Sequence, residues 1–300
     1  MPTRRHVFGL AGFAALLACS PALAQSKINV VATFSILADL VGNVGGDRVE
    51  VAALVGPNSD THVFSPTPAD AKKLAAAKVV FVNGLGLEGW MTRLVSASGS
   101  QAQTFVASTG IKTRKMEDDH HPGRMVTDPH AWQSIANAKI YVANIRDGLS
   151  KADPGGKGSY DGNATAYLAK LDALEQEVKT VIGKIPADHR RIITTHDAFG
   201  YFGAAYGMEF ISPEGVSTDA QPSARDMAKI IAQIRKQKIP AVFMENITDP
   251  RLMQQIAKET GAKIGGTLYS DALSDAKGPA GTYIDMMRSN VNELSKALVP

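Results

Sequence analysis

The sequence predicts an α/β protein with two (β/α) lobes, each built on a parallel sheet, joined by one long rigid linker helix. The chain has 300 residues, which is too long for one ordinary hydrophobic core and suits two domains. Short β-branched runs alternate with amphipathic segments in both halves, which is typical of βαβ units with parallel strands. The longest helical pattern lies near the midpoint of the chain and contains no proline.

The first half contains four β-branched runs that predict strands, at residues 27–33, 49–55, 78–82 and 104–107. Helices are expected at residues 34–44 and 87–97, and another begins after the cap Thr67, with Pro68 in its first turn. Residues 112–127 are expected to form a polar loop. A further helix opens near residue 128 and runs to about residue 149.

The expected linker helix covers residues 160–185 and ends before Pro186. Its apolar stripe has helical spacing and comprises Leu168, Leu171, Leu174, Val178 and Val181. The second half then repeats the βα rhythm, with strands expected at 191–195, 209–211, 241–244 and 262–268. Helices are expected at 198–206, 223–236, 250–260 and 282–298. We therefore expect an N-terminal lobe at 25–158, a linker helix at 159–187 and a C-terminal lobe at 188–300.

Residues 1–24 have the features of an export signal: a basic start, an apolar middle and small residues at the end. A cut after Ala24 would release a soluble periplasmic protein, and we favour this interpretation. A second interpretation stays open, because the segment ending at Cys19 resembles a lipobox and would make Cys19 a lipid anchor. The start also faintly resembles a twin-arginine signal. Each interpretation exports the chain across a bacterial inner membrane.

The composition excludes some classes of binding partner and some kinds of metal site. Without the leader, 30 basic residues stand against 29 acidic residues and no lysine/arginine run stands out, so no nucleic-acid partner is expected. No later stretch is apolar over the ~20 residues that span a bilayer. Cys19 is the only cysteine. The chain beyond it therefore has no disulfide, and nitrogen and oxygen atoms must hold any metal ion.

Three histidines, His62, His130 and His196, share one sequence context. Each lies in a loop or turn after a predicted strand or directly before a predicted helix, and Asp271 follows the last predicted strand. Ligands of open α/β sheets bind at the carboxyl ends of the strands. Three imidazoles and one carboxylate suit Zn²⁺, and also Mn²⁺ or Fe²⁺ if the carboxylate is bidentate. The spacing alone leaves open that each histidine only caps or packs.

Four segments around these residues, in this order, closely resemble the metal-binding solute receptors of bacterial ABC importers, the zinc and manganese family. They are Pro57-x-x-Asp60-Thr61-His62-x-Phe64-x-Pro66-Thr67-Pro68-x-Asp70, Asp128-Pro129-His130-x-Trp132, His196-Asp197-Ala198-Phe199-Gly200-Tyr201-Phe202 and Thr267-Leu268-Tyr269-x-Asp271-Ala272-Leu273-Ser274. The match runs from about residue 27 to the C-terminus.

The resemblance implies a metal site in the cleft between the lobes, with His62 and His130 from the N-terminal lobe and His196 and Asp271 from the C-terminal lobe. It also implies a monomeric receptor, not an enzyme, that hands a divalent metal to an ABC permease and its ATPase. Zinc members tend to carry histidine at the third position, where manganese members carry glutamate, so His196 favours Zn²⁺. Asp271 is typical of manganese members and keeps Mn²⁺ or Fe²⁺ open.

Two functions of other classes stay open. Three histidines and one aspartate also occur in catalytic sites of zinc metallohydrolases, although the sequence contains neither His-Glu-x-x-His nor His-x-His-x-Asp. A metal-dependent surface adhesin is the other alternative, and it would require a lipidated Cys19.

Supporting roles are expected for acidic residues beside the ligands. Asp60 would order the loop of His62. Asp197 and Glu245 are candidates to orient His196, although a structural cap is the favoured role for Glu245. The loop Asp118-Asp119-His120-His121 either collects metal or is a solvated connection, and His189 is expected to end a helix rather than to bind metal.

Overall fold

The N-terminal lobe is built on a parallel sheet of four strands. The structure is a computed structural model that describes residues 27–118, 121–215, 217–218 and 223–300. The expected leader with Cys19, and residues Asp119 and His120, lie outside the described residues. The lobe begins with β1 (Ile28–Phe34), α1 (Ser35–Gly45), β2 (Val49–Val55), α2 (Pro68–Ala76), β3 (Val79–Val82), α3 (Met91–Ser98) and β4 (Gln103–Val106).

The predicted helix start at Thr67 and Pro68 is confirmed, since α2 begins at Pro68. The Asp70 carboxylate accepts hydrogen bonds from the backbone N–H of Thr67 at 3.0 Å and from its hydroxyl at 2.7 Å. This capping box closes the end of the long loop that follows β2 and fixes the start of α2.

Residues 112–127 are not a loop throughout, and that prediction was wrong. β5 (Lys115–Asp118) and β6 (His121–Thr127) form an antiparallel hairpin, with Lys115 opposite Thr127. The acidic residues at the end of β5 have low strand propensity, so the sequence favoured a loop. The hairpin leads directly into the segment that carries His130.

Helix α4 (Ile135–Ala152) follows, and the long helix α5 (Lys157–Gly183) lies between the two sheets in sequence. The buried face of α5 consists of Tyr160, Ala164, Tyr167, Leu171, Leu174, Val178 and Ile182. Leu168 and Val181, which were predicted for this stripe, are only partly buried. Helix α5 packs against α1, α4 and the C-terminal helix. Of the helices in the described ranges, none combines the length with the hydrophobicity needed to cross a bilayer.

The C-terminal lobe is a second parallel sheet of four strands with helices between them. Its elements are β7 (Arg191–Ile193), α6 (Gly200–Tyr206), β8 (Glu209–Ile211), α7 (Ala224–Gln237), β9 (Ala241–Glu245), α8 (Arg251–Thr260), β10 (Lys263–Leu268) and α9 (Tyr283–Leu298). The backbone N–H of Tyr283, at the start of α9, donates to Asp39 of α1 at 2.9 Å. Helix α9 therefore contacts the N-terminal lobe as well as its own sheet.

The two sheets have the same topology, although no sequence repeat relates the two halves. The strand orders are β2-β1-β3-β4 and β10-β9-β7-β8. In each sheet the first and third strands of the lobe are the inner pair, and the second and fourth strands are the edges. Ligands of open parallel sheets bind in the crevice outside the carboxyl ends of neighbouring inner strands. In the C-terminal lobe this place lies between the ends of β7 and β9.

Candidate metal centre

The structure brings together all four residues that the sequence analysis singled out as candidate ligands. His62 lies in the loop between β2 and α2, and His130 lies between β6 and α4. His196 follows β7, and Asp271 follows β10. One ligand atom of each residue lies within 4.8 Å of the others. The four side chains therefore meet across the cleft between the two lobes.

The distances within this cluster suit one small cation. The Nε2 atom of His62 lies 3.2 Å from Nε2 of His130 and 2.9 Å from Oδ2 of Asp271. Oδ2 of Asp271 lies 3.3 Å from Nε2 of His196, and its Oδ1 lies 3.6 Å from Nε2 of His130. Four ligands at about 2.0–2.1 Å from a tetrahedral ion are separated by about 3.3 Å. These four separations are close to those of a tetrahedral site.

Several atoms at the centre of the cluster are buried polar atoms without a hydrogen bond. Among the described residues, neither carboxylate oxygen of Asp271 has a hydrogen-bond partner, and Nε2 of His196 has none either. The side chains of Asp271, His196 and His130 are 0% exposed, and that of His62 is 5% exposed. Buried polar atoms without a hydrogen bond are costly; the nearby imidazoles offset part of this cost for Asp271, and a cation placed between the four side chains would satisfy all of them.

His130 is held in place from its other ring nitrogen. The Asp128 carboxylate accepts a hydrogen bond from the backbone N–H of His130 at 2.9 Å and lies 3.0 Å from Nδ1 of its ring. The carbonyl of Pro129 in turn accepts from the side-chain amide of Asn83 at 3.0 Å. A carboxylate at Nδ1 fixes the tautomer that presents Nε2 to an ion. The sequence analysis missed this role of Asp128, although an aspartate two residues before a histidine is a signal for it.

His196 has a corresponding partner in Glu245, the last residue of β9. Oε2 of Glu245 lies 2.6 Å from Nδ1 of His196, and its Oε1 accepts from the backbone N–H groups of Thr195 and His196 at 2.8 and 2.9 Å. Glu245 therefore both caps the turn after β7 and contacts the imidazole. Asp197, the other candidate, forms no hydrogen bond or ion pair with this ring among the described residues, so of the two candidates Glu245 is the one that contacts it.

The loop of His62 is ordered as expected, because Oδ1 of Asp60 accepts from the backbone N–H of His62 at 2.8 Å. His189 lies in a short 3-10 turn away from the cluster, and its Nδ1–H donates to the carbonyl of Leu298 at 2.8 Å. This agrees with its predicted structural role. The proposed metal-collecting role of the loop containing His120 stays a prediction, because His120 lies outside the described residues.

The carboxylates set the protonation of the cluster. Burial alone would lower the pKa of His130, but Asp271 and Asp128 outweigh it and raise this pKa to about 9. Glu245 and Asp271 likewise raise the pKa of His196 well above its ordinary value against the effect of burial. Burial would raise the pKa of Asp271, but His130 and His196 hold it well below its usual range. Without a cation, positive imidazoles therefore neutralise the carboxylate.

Trp132 and Gln133 connect the two lobes beside the cluster. The indole N–H of Trp132 donates to the carbonyl of Ser270 at 2.9 Å, and the amide of Gln133 donates to the same carbonyl at 2.6 Å. Ser270 directly precedes Asp271, and the ring centroid of Trp132 lies 5.3 Å from that of His130. Trp132 is therefore positioned to report on the site.

The chain is similar to known proteins over nearly the whole of its described length. Residues 30–297 match the family described as zinc-uptake complex component A, periplasmic. The chain is 34% identical to an iron-binding protein, YfeA, of Yersinia pestis over 94% of this chain and 90% of that protein. It is 32% identical to PsaA of Streptococcus pneumoniae, named a manganese ABC transporter substrate-binding lipoprotein, over 94% of both chains.

Solved structures give the same result for the fold. The periplasmic zinc-binding protein TroA of Treponema pallidum superimposes with a TM-score of 0.85 at 31% identity, over 92% of this chain and 100% of that chain. A manganese-bound periplasmic metal-binding protein of Candidatus Liberibacter asiaticus gives a TM-score of 0.81 at 31% identity, over 91% and 100%. The predicted two-lobed α/β fold with a long helical linker is therefore confirmed.

The family consists of substrate-binding receptors of transporters, and the metallohydrolase alternative is therefore wrong. The matched segment covers nearly the whole described chain, and the relatives are covered over nine-tenths or more of their own lengths. This protein belongs to the zinc-uptake component A family, the periplasmic metal-binding receptors of ABC transporters.

Proposed function

We propose that this protein captures Zn²⁺ between its lobes and delivers it to an ABC permease and the ATPase that drives it. His62, His130, His196 and Asp271 are the proposed ligands. The lobes are proposed to be residues 25–158 and 188–300, with residues 159–187 as the linker helix. The observation that carries the proposal is the convergence of these four buried side chains at distances of 2.9–3.6 Å.

Zinc is the proposed cargo because the ligand set is rich in nitrogen. Three imidazoles and one carboxylate form a four-coordinate shell that suits Zn²⁺, whereas Mn²⁺ prefers more oxygen ligands. The ligand separations also agree with the tetrahedral value of about 3.3 Å. A relative of known structure, TroA of Treponema pallidum, carries the name of a zinc-binding protein.

The test begins with metal analysis of protein purified without chelator. Zn²⁺ and Mn²⁺ then compete for the protein, and Trp132 fluorescence reports which ion is bound. We expect one zinc ion per chain that excess Mn²⁺ does not displace. Protein without any bound metal, which also takes up none on titration, would contradict the proposal.

A second candidate cargo is Mn²⁺ or Fe²⁺. Two observations favour it: both oxygens of Asp271 lack a hydrogen bond among the described residues, which suits bidentate coordination, and relatives carry manganese and iron in their names. Bidentate binding would raise the coordination number above four. Stoichiometric manganese or iron that survives a zinc challenge would establish this alternative.

We also propose that the exported chain acts outside the cytoplasmic membrane as a monomer. A mature chain that begins at Gln25 would be soluble in the periplasm, whereas one that begins at a lipidated Cys19 would be anchored. Relatives named lipoproteins support the anchored form, and the Ala-Leu-Ala sequence before Gln25 supports the soluble form. Mass spectrometry of the mature N-terminus distinguishes the two, and sedimentation velocity tests the monomer.

A further inference from the structure

A polar cavity of about 540 Å³ lies beside the loop of His62. It is open to solvent and lined by, among others, Asp60, Glu214, Thr218, Thr248, Asp249 and Arg251. Asp249 and Arg251 pair with each other, with Nε of Arg251 2.7 Å from the Asp249 carboxylate. Arg251 therefore balances the charge of Asp249, whereas it does not balance the charges of Asp60 and Glu214.

The cavity is bordered by the loop of His62 and by a segment that lies beside the turn of His196. Oδ1 of Asp60 accepts from the backbone N–H of His62. On the other side, the backbone N–H of Glu214 donates to the carbonyl of Thr195 at 3.1 Å, and that of Asp197 donates to Gly215 at 2.8 Å. Residues 214–215 therefore run alongside the turn of His196.

Glu214 is a largely buried acidic residue of the cavity. It is 7% exposed and lines the cavity, and within the described ranges its carboxylate forms neither a hydrogen bond nor an ion pair. A buried charge without a hydrogen bond is costly. Burial raises the pKa of Glu214 to about 7; the positive charge of His196 opposes this rise, and the charges of Glu245 and Asp60 add to it. A cation in the cavity would remove this cost.

Asp60 supplies the second group. One of its oxygens accepts from His62, and the other accepts from the hydroxyl of Thr218. Each carboxylate oxygen has a second lone pair, so both oxygens retain capacity for a cation. The hydrogen bond to Thr218 also connects the His62 loop with the segment that carries Glu214.

We propose that Glu214 and Asp60 form an outer, weak site for a divalent cation at the mouth of the cleft, from which the ion passes to the inner four-ligand centre. This inference rests on the proposed function and adds a route by which the ion reaches the inner centre. The inner ligands are at most 5% exposed, and an outer site would hold an ion from solvent before it reaches them. Carboxylate oxygens alone bind divalent ions weakly and exchange them readily, in contrast to the closed inner shell.

The test for binding is a titration of zinc-loaded protein with Mn²⁺, in which the electron paramagnetic resonance signal of free Mn²⁺ counts the ions taken up. We expect the wild type to bind one more weakly held ion than Glu214→Gln, which keeps size and loses charge. Asp60→Asn should lose the same ion. Asp188→Asn is the matched control, because Asp188 is an exposed acid in the turn just before β7, at the amino ends of the strands, and it should behave as the wild type. Equal uptake by wild type and Glu214→Gln would overturn the proposal.

The test for transfer is the rate at which metal-free protein takes up Zn²⁺, measured by stopped-flow Trp132 fluorescence at low salt. Carboxylates near a site raise association rates by about tenfold or more, so Glu214→Gln should bind at least several-fold more slowly than Asp188→Asn. Equal rates would overturn the transfer route. His196→Ala separates this inference from the proposed function: it removes tight inner binding, and the Glu214-dependent weak ion should persist in it.

Discussion

The carboxylate of Glu245 lies 2.6 Å from Nδ1 of His196, and the same carboxylate caps the backbone of the turn that carries this histidine. The last residue of β9 thus contacts the imidazole that follows β7. In a sheet where these strands are neighbours, the contact lies at the expected ligand-binding crevice. A carboxylate at this distance favours a proton on Nδ1, which leaves Nε2 to bind the ion.

Glu245→Gln should weaken Zn²⁺ binding by about 10- to 100-fold. The amide oxygen can still accept from the backbone N–H groups, but its NH₂ group would then face Nδ1 and favour the tautomer with a proton on Nε2. Competition with a chromophoric zinc chelator measures the change. Glu209→Gln, which alters an exposed ion pair with Arg191, is the matched control. Equal affinities of the two variants would contradict the role of Glu245.

Binding of Zn²⁺ should release about two protons per ion at pH 7.5. Without metal, the raised pKa values keep His130 and His196 protonated at this pH, and both rings must lose the Nε2 proton to bind an ion. Affinity should therefore rise with pH up to about 9, beyond the ordinary histidine value of about 6.5. Isothermal titration calorimetry in buffers of different ionisation enthalpy counts the protons, and a count near zero would contradict the protonated cluster.

The metal-free protein should lose stability as the pH rises. Because the pKa of His130 is raised from its ordinary value of 6.5 to about 9 in the folded protein, its contribution is fully present below about 6.5 and is lost as the pH passes through about 9. The melting temperature in chelator should fall by about 5 °C or more between pH 6.5 and 9.5. The zinc-loaded protein is the control and should show a smaller change. A melting temperature of the metal-free form that rises over this range would contradict the prediction.

The four ligands should contribute unequally to the affinity for Zn²⁺. His196→Ala should weaken Zn²⁺ binding by orders of magnitude, because it removes one of four ligands and leaves Glu245 without its cationic partner. Asp271→Ala should weaken Zn²⁺ binding less than His196→Ala does. It also removes the charge that holds protons on His130 and His196, so the metal then competes with fewer protons. Direct titration with a competing chelator gives both constants, and an equal or larger loss in Asp271→Ala would contradict this ranking.

Helix α5 should contribute to stability through its buried face. Leu171→Ala removes a fully buried side chain and should lower the free energy of unfolding by about 2–5 kcal/mol. Leu168→Ala, three residues earlier and only partly buried, is the matched control and should cost clearly less. Urea unfolding of the metal-free protein measures both. Equal losses would contradict the orientation of the helix.

The main features of the fold and the candidate ligands could be predicted from the sequence because their signals are local. Alternating β-branched and amphipathic runs predicted the strands of both sheets, and turn residues after strands singled out His62, His130, His196 and Asp271. The chemistry of nitrogen and oxygen donors then predicted one site. The structure adds the distances between residues that are far apart in sequence.

Features that depend on long-range packing were missed or only partly predicted. The partner of His196 is 49 residues away, at Glu245, and nothing local to Asp197 signals that, among the described residues, its carboxylate forms neither a hydrogen bond nor an ion pair with the ring. The hairpin β5–β6 forms because its strands pair with each other, against the low strand propensity of its acidic residues. The shared topology of the two sheets leaves no trace as a sequence repeat, because strand order is a property of packing.

The most direct test of the proposed zinc centre is an anomalous difference map of the zinc-loaded crystal, recorded on both sides of the zinc absorption edge. We predict one peak in the cleft, bonded to Nε2 of His62, His130 and His196 and to the carboxylate of Asp271 at about 2.0–2.2 Å. A map without a peak among these four side chains, from a crystal that contains one zinc ion per chain, would contradict the assignment of the site.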